Sequence, residues 1–65
     1  MEVKIVASKA GVAVSGATAR VMAQAFRAVP WSLEEPVNPF EFAAQLDRAL
    51  RSQANVHVTL ERRYA

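Results

Sequence analysis

The chain has 65 residues with one histidine and no cysteine, so it forms one small domain at most and has no disulfide framework. Hydrophobic residues make up 52% and charged residues 22% of the sequence, a balance typical of a folded domain rather than a disordered one. The net charge is only +2, and no apolar run reaches the length of a membrane span.

The first part of the chain predicts a β-hairpin. Apolar and polar residues alternate between residues 3 and 8, which is typical of a strand. Val6 departs from the alternation and adds an apolar group to the outer face. Residues 9–11 are expected to turn, because Gly11 can adopt positive φ, and residues 12–14 to form a second strand.

Residues 17–28 are rich in alanine and favour a helix. Ser15 and Thr18 are both candidates for its N-cap, and Pro30 is expected to end it. The helical spacing places apolar residues on one face: Met22, Ala25, Phe26 and Val29. Polar residues occupy the opposite face: Arg20, Gln24 and Arg27.

A loop is predicted over residues 31–36, with prolines at both ends. Trp31 and Leu33 are the kinds of residue that anchor protein interfaces, and the alternative that Trp31 folds back over the core stays open. Glu34 and Glu35 are adjacent on an extended segment, so their carboxylates point apart and do not form a two-carboxylate site.

The second helix has the clearest start signal in the sequence. Asn38 is the expected N-cap, Pro39 the first helical residue, and Glu41 the third residue of a capping box. Val37 and Phe42 have the spacing of a hydrophobic staple across the same cap. The helix is predicted to continue to Ser52. Its buried stripe is Phe42, Ala43, Leu46, Ala49 and Leu50, and its outer side carries an Asp47–Arg51 pair.

Asn55 is expected to end this helical region, and residues 56–61 alternate as a half-buried strand. The predicted order is therefore β-β-α-α-β in a single α+β domain spanning residues 1–65. The simplest architecture is a three-stranded antiparallel sheet with both helices on one face.

No catalytic or cofactor site is predicted. His57 lies on the outer face of a strand and Asp47 on the outer side of a helix, so the two are not expected to meet in a triad. One histidine and no cysteine give no basis for a metal site, and no glycine-rich phosphate loop is present. We therefore expect a protein that is not an enzyme and has no cofactor.

Charge is distributed unevenly along the chain: basic, then acidic, then basic. Such a pattern suits docking to a charged partner, although the segments also neutralise one another if they meet in the fold. Nucleic-acid binding is the alternative function, with Arg20 and Arg27 on one helix face. Lys4, Arg62 and Arg63 are then expected along a sheet edge.

In size, absence of motifs and composition, the chain resembles the small orphan proteins of phages and mobile elements, which bind and block host machines. The leading interpretation is a cytoplasmic, non-enzymatic protein-binding module, with inhibition of a host machine as its expected use, for example an anti-CRISPR-like block of a defence nuclease complex. The alternative is a dimeric, basic nucleic-acid-binding regulator. A homodimer through the open edge of the last strand or the bare sheet face is a further expectation. The predicted partner-binding residues are Trp31, Leu33, Glu34, Glu35, Arg20, Arg27, His57, Arg62 and Arg63.

Overall fold

A computed structural model describes residues 1–29 and 38–64. The element order β-β-α-α-β and the α+β class agree with the prediction. The elements are strands β1 (Glu2–Ser8) and β2 (Gly11–Ser15), helices α1 (Ala19–Ala28) and α2 (Pro39–Arg51), and strand β3 (His57–Arg62).

The three strands form a mixed sheet in the order β2-β1-β3. β2 pairs with β1 antiparallel, but β3 pairs with β1 parallel, so the expectation of a purely antiparallel sheet was wrong. The reason lies in where the chain crosses. It leaves β2 at Ser15, opposite Lys4, and enters β3 at His57, opposite Glu2. The helical segment thus begins and ends at one end of the sheet, and a strand that starts there beside β1 must run in the same direction.

The core lies between one face of the sheet and the two helices. Alternate residues of β1 point into it, and Ile5 is fully buried together with Leu46 and Leu50 of α2. Val58 of β3 and Ala25 of α1 belong to the same buried cluster. Since both helices contribute to a cluster on one side of β1, they lie on the same side of the sheet, as the sequence predicted, and α2 is the one next to the strands.

Helix α1 begins at Thr18, one of its two predicted caps. The Thr18 hydroxyl accepts a hydrogen bond of 3.3 Å from the amide of Val21. α1 packs against α2, whereas α2 contacts all three strands. Phe26, on the apolar face of α1, is 41% exposed. The Phe26 ring lies 6.3 Å from that of Phe42, centroid to centroid.

Helix α2 has the predicted cap in a partial form. The Asn38 side chain accepts a hydrogen bond of 2.8 Å from the amide of Phe40, and Pro39 is the first helical residue. In the described part of the chain, Glu41 makes no return bond to the cap, so the full capping box does not form. The staple residue Val37 lies outside the described residues.

Two residues with positive φ lie at the end of the sheet where β1 begins. Gly16 has a φ of +87°, and a Cβ at this position would lie 2.3 Å from the carbonyl oxygen of Glu2. Asn55 has a φ of +63°, a conformation that asparagine tolerates better than most residues. It ends the helical region where the sequence predicted, and β3 follows two residues later.

Candidate functional site

Helix α1 exposes a polar stripe. Arg20, Gln24 and Arg27 are all exposed, and their spacing of four and three residues places them along one face of the helix. Among the described residues, no ion pair involves either arginine. The prediction that these arginines face solvent is confirmed, and their role in binding a partner remains a prediction.

Helix α2 adds a third exposed arginine. Arg48 is exposed and has no ion pair within the described part of the chain. Asp47 lies next to it, but its carboxylate accepts a hydrogen bond of 2.7 Å from the Arg51 guanidinium, which neutralises its charge. We use the name arginine face for the set of exposed arginines that the two helices carry without an ion pair among the described residues: Arg20, Arg27 and Arg48.

A groove of about 340 Å³ lies between the end of α1 and the second half of α2. Val29 and Ala49 are buried at its floor, while Arg48 is exposed at its rim. We call it the helix groove; its lining residues are Ala28, Val29, Gln45, Arg48, Ala49 and Ser52. Its apolar floor and cationic rim suit an apolar side chain that has a negative charge beside it.

The opposite face of the sheet carries neither of the two described helices. The strand register places Glu2 beside His57, and Lys4 between Ser15 and Thr59. A groove of about 430 Å³ runs over these residues. Lys4, His57 and Thr59 therefore share the open face, and Lys4 lies on the central strand rather than along the sheet edge expected for it.

The rest of the open face combines an apolar residue with one ion pair. Val6, the outer apolar residue noted in the sequence, is half-buried between Ala13 of β2 and Glu61 of β3. The Glu61 carboxylate accepts a hydrogen bond from Arg63, which places Arg63 on the same face. Arg62 alternates to the other side of the sheet and is exposed.

Tyr64 is not on the open face. Its ring stacks on that of Phe40 in the first turn of α2, with centroids 4.9 Å apart and planes inclined by 20°. In the part of the chain that the structure describes, His57 is thus the one aromatic-type ring on the open face. A sheet that reads single-stranded nucleic acid normally presents several aromatic rings for base stacking.

The two residues considered for a catalytic triad do not meet. His57 is on the open face of the sheet, and Asp47 belongs to the helix on the other side. Within residues 1–29 and 38–64, no group of three or more histidine, aspartate or glutamate side chains is placed to hold a metal ion.

The predicted partner-binding residues do not form one surface. Arg20 and Arg27 lie on α1, His57 and Arg63 on the open face, and Arg62 on the other side of β3. The other four lie outside the described residues: Trp31, Leu33, Glu34 and Glu35.

The helix groove was missed by sequence reasoning. Its residues come from two helices that are far apart in the sequence, so no local pattern connects them. The available signal was the spacing of Gln45, Arg48 and Ser52 along one exposed side of α2.

Comparison with known proteins gives no relative: no family model, no curated protein and no solved structure matches this chain. None of the described helices is long and apolar enough to cross a membrane. Arguments about function therefore depend on the geometry of the helix groove, the arginine face and the sheet.

Proposed function

We propose that this protein is a non-enzymatic protein-binding module, and that it holds an acidic segment of its partner against the helix groove and the arginine face. The observation that carries the proposal is the groove itself, with Val29 and Ala49 at its floor and Arg48 at its rim. Such a site suits a partner segment that combines an apolar side chain with carboxylates.

The charge of the helices supports an acidic partner. Arg20, Arg27 and Arg48 have no ion pair among the described residues, and Asp47 is already paired with Arg51. Of the acidic residues on the described helices, only Glu41 is left to offset three arginines. Complementary charge speeds the encounter with a partner and fixes its orientation.

The floor of the groove favours a protein over a nucleic acid. Buried apolar contacts at the centre of an interface supply most of the binding energy between proteins. The phosphate backbone that dominates nucleic-acid affinity has no apolar side chain to place over Val29 and Ala49. Nucleic-acid binding remains the second candidate function, because the arginine face alone suits phosphates.

Inhibition of a host machine, in the manner expected from the size and composition of the chain, is one biological use of such docking. An inhibitor needs a surface that stays bound to its target, and it needs no catalytic group. The partner surface would then be an acidic, partly apolar segment of the target.

The first experiment tests whether the partner occupies the helix groove. Tagged protein is used to capture partners from the native host, and the captured proteins are identified by mass spectrometry. Ala28→Trp fills the groove without a change of charge, and Ala23→Trp is its control on the exposed side of the same helix. We expect Ala28→Trp to lose the partner and Ala23→Trp to retain it.

A second pair of variants tests the charge. Arg27→Glu with Arg48→Glu reverses two charges on the arginine face, and Lys4→Glu with Lys9→Glu makes the same change away from the helices. We expect only the first pair to lose the partner. Equal loss in both pairs would show that net charge, rather than this surface, determines binding.

Direct titration with nucleic acid decides between the two candidate functions. We expect random duplex and single strands to bind no tighter than about 1 µM at physiological salt, which is the non-specific range. A tight, sequence-selective complex at that salt would promote nucleic-acid binding to the leading function.

A further inference from the structure

The two edges of the sheet differ, and the hydrogen bonds of β1 show how. The amide of His57 donates to the carbonyl of Met1 and that of Arg63 to the carbonyl of Ala7, both at 2.8 Å. Odd-numbered residues of β1 therefore direct their backbone groups to β3, and even-numbered ones direct theirs to β2. By the register, Ala13 lies opposite Val6, so its own amide and carbonyl point towards β1. The amides and carbonyls on either side of it, those of Val12 and Val14, point away from the sheet.

The outer edge of β3 is protected. The same alternation directs the backbone groups of Val58, Leu60 and Arg62 outward, and the Val58 carbonyl accepts a hydrogen bond of 2.9 Å from the Arg51 guanidinium. β3 also contains the charged residues Glu61 and Arg62. Charged side chains and covered backbone groups are the usual means by which proteins prevent pairing at an edge.

Among the described residues, the outer edge of β2 has neither form of protection. The strand reads Gly-Val-Ala-Val-Ser and contains no charge and no proline. Within the described residues, no side chain or backbone group outside the sheet makes a hydrogen bond to Val12 or Val14. The side chain of Ala13, between them, is exposed. An uncharged edge of this kind pairs readily with another strand.

We propose that this edge pairs with the same edge of a second copy of the chain, which joins the two sheets into one of six strands. An antiparallel pair centred on Ala13 places Val12 opposite Val14 of the partner subunit. The outward donors and acceptors of both valines are then satisfied on both chains, which gives four hydrogen bonds between the subunits. Ala13 faces its own copy, where a small side chain fits a close pair.

A second copy fits this edge better than an unrelated strand for two reasons. Self-pairing meets every outward group of the two valines in one symmetric register, and it brings no like charges together, because β2 has none. A chain of this size without disulfides also has a thin core and gains stability from association. The paired edge is short, so we expect weak association, with a Kd on the order of 100 µM.

The dimer goes beyond the proposed function, since β2 shares no residue with the helix groove. The two copies of β2 are antiparallel, and the two-fold axis that relates two such strands within one sheet is perpendicular to that sheet. Both helix layers then lie on the same side. Two helix grooves facing the same way allow one partner to bind at two points, which raises the apparent affinity without any new contact.

Opposite charges introduced at residue 13 test this geometry. Ala13 is exposed on the open face, so Ala13→Lys and Ala13→Glu leave the core intact, which circular dichroism checks. Analytical ultracentrifugation up to about 1 mM measures the monomer–dimer equilibrium. We expect each variant alone to dimerise about fivefold more weakly than the wild type, because like charges then face each other. An equimolar mixture of the two should recover dimers.

Thr59→Lys is the matched control, since Thr59 is exposed on the same face but on β3. It should leave dimerisation unchanged. A wild-type chain that stays monomeric at about 1 mM would overturn the proposal, as would a mixture that shows no recovery or a control that weakens dimers as much as Ala13→Lys. The groove variants at Ala28 and Ala23 test the proposed function separately, because partner capture by a monomer would survive each of these results.

Discussion

The guanidinium of Arg51, in the last turn of α2, donates a hydrogen bond of 2.9 Å to the carbonyl oxygen of Val58 in β3. The same side chain also donates a hydrogen bond of 2.7 Å to the Asp47 carboxylate. One residue thus ties the end of a helix to the outer edge of the sheet and covers one of its free acceptors. This contact makes the two edges of the sheet unequal.

Replacement of Arg51 should lower the free energy of unfolding. Arg51→Ala removes the ion pair with Asp47 and leaves the partly buried Val58 carbonyl without its donor. We expect the free energy of unfolding to fall by about 1–2 kcal/mol, since hydrogen bonds from charged groups are among the stronger ones. Urea denaturation measures the change. Arg48→Ala, three residues away and without an ion pair among the described residues, should change it by less than about 0.5 kcal/mol. Equal effects would show that the Val58 contact contributes nothing.

The cap of α2 gives a second prediction. Asn38→Ala removes the acceptor that the Phe40 amide uses at 2.8 Å and should cost about 0.5–2 kcal/mol. Asn38→Asp keeps an acceptor at the helix N-terminus and should restore most of the loss, because a carboxylate also interacts favourably with the helix dipole. An unchanged denaturation midpoint for the alanine variant would mean that Asn38 does not act as the cap in solution.

The sequence predicted well those features of the fold that depend on local signals. The Asn38–Pro39 start of α2 and the break at Asn55 depend on the conformations of a few neighbouring residues. The exposed position of His57 follows from alternation within a single strand. In each case the residues that carry the signal also form the structure, so no distant contact is needed.

Relationships between distant elements were not predictable in the same way. The parallel pairing of β3 depends on the end of the sheet to which the two helices return the chain. The exposure of Phe26 depends on how α1 packs against α2. The Arg51 side chain shows both cases: its pair with Asp47 follows from helical spacing, whereas its bond to Val58 depends on where β3 lies.

Gly16 should be the least replaceable glycine. Its φ of +87° is one that other residues adopt only with strain, and a Cβ would lie 2.3 Å from the Glu2 carbonyl oxygen. We expect Gly16→Ala to cost at least about 2 kcal/mol. Gly11 also has positive φ, but no atom lies within 4 Å of its Cβ position. Gly11→Ala should therefore cost less, and thermal unfolding of the two variants gives the comparison. Equal losses would mean that the contact with Glu2 relaxes without cost.

Tyr64 should contribute to stability rather than to nucleic-acid binding. Its ring stacks on Phe40 with centroids 4.9 Å apart, which joins the segment after β3 to the first turn of α2. Tyr64→Ala should lower the free energy of unfolding by about 0.5–1.5 kcal/mol, the range for an aromatic pair. Tyr64→Phe should keep it, since no hydrogen bond of the hydroxyl is found among the described residues. Because the ring is on the helix side of the sheet, Tyr64→Ala should not change any weak binding of single-stranded RNA. A marked loss of RNA binding, with stability retained, would instead place the ring in a nucleic-acid interface.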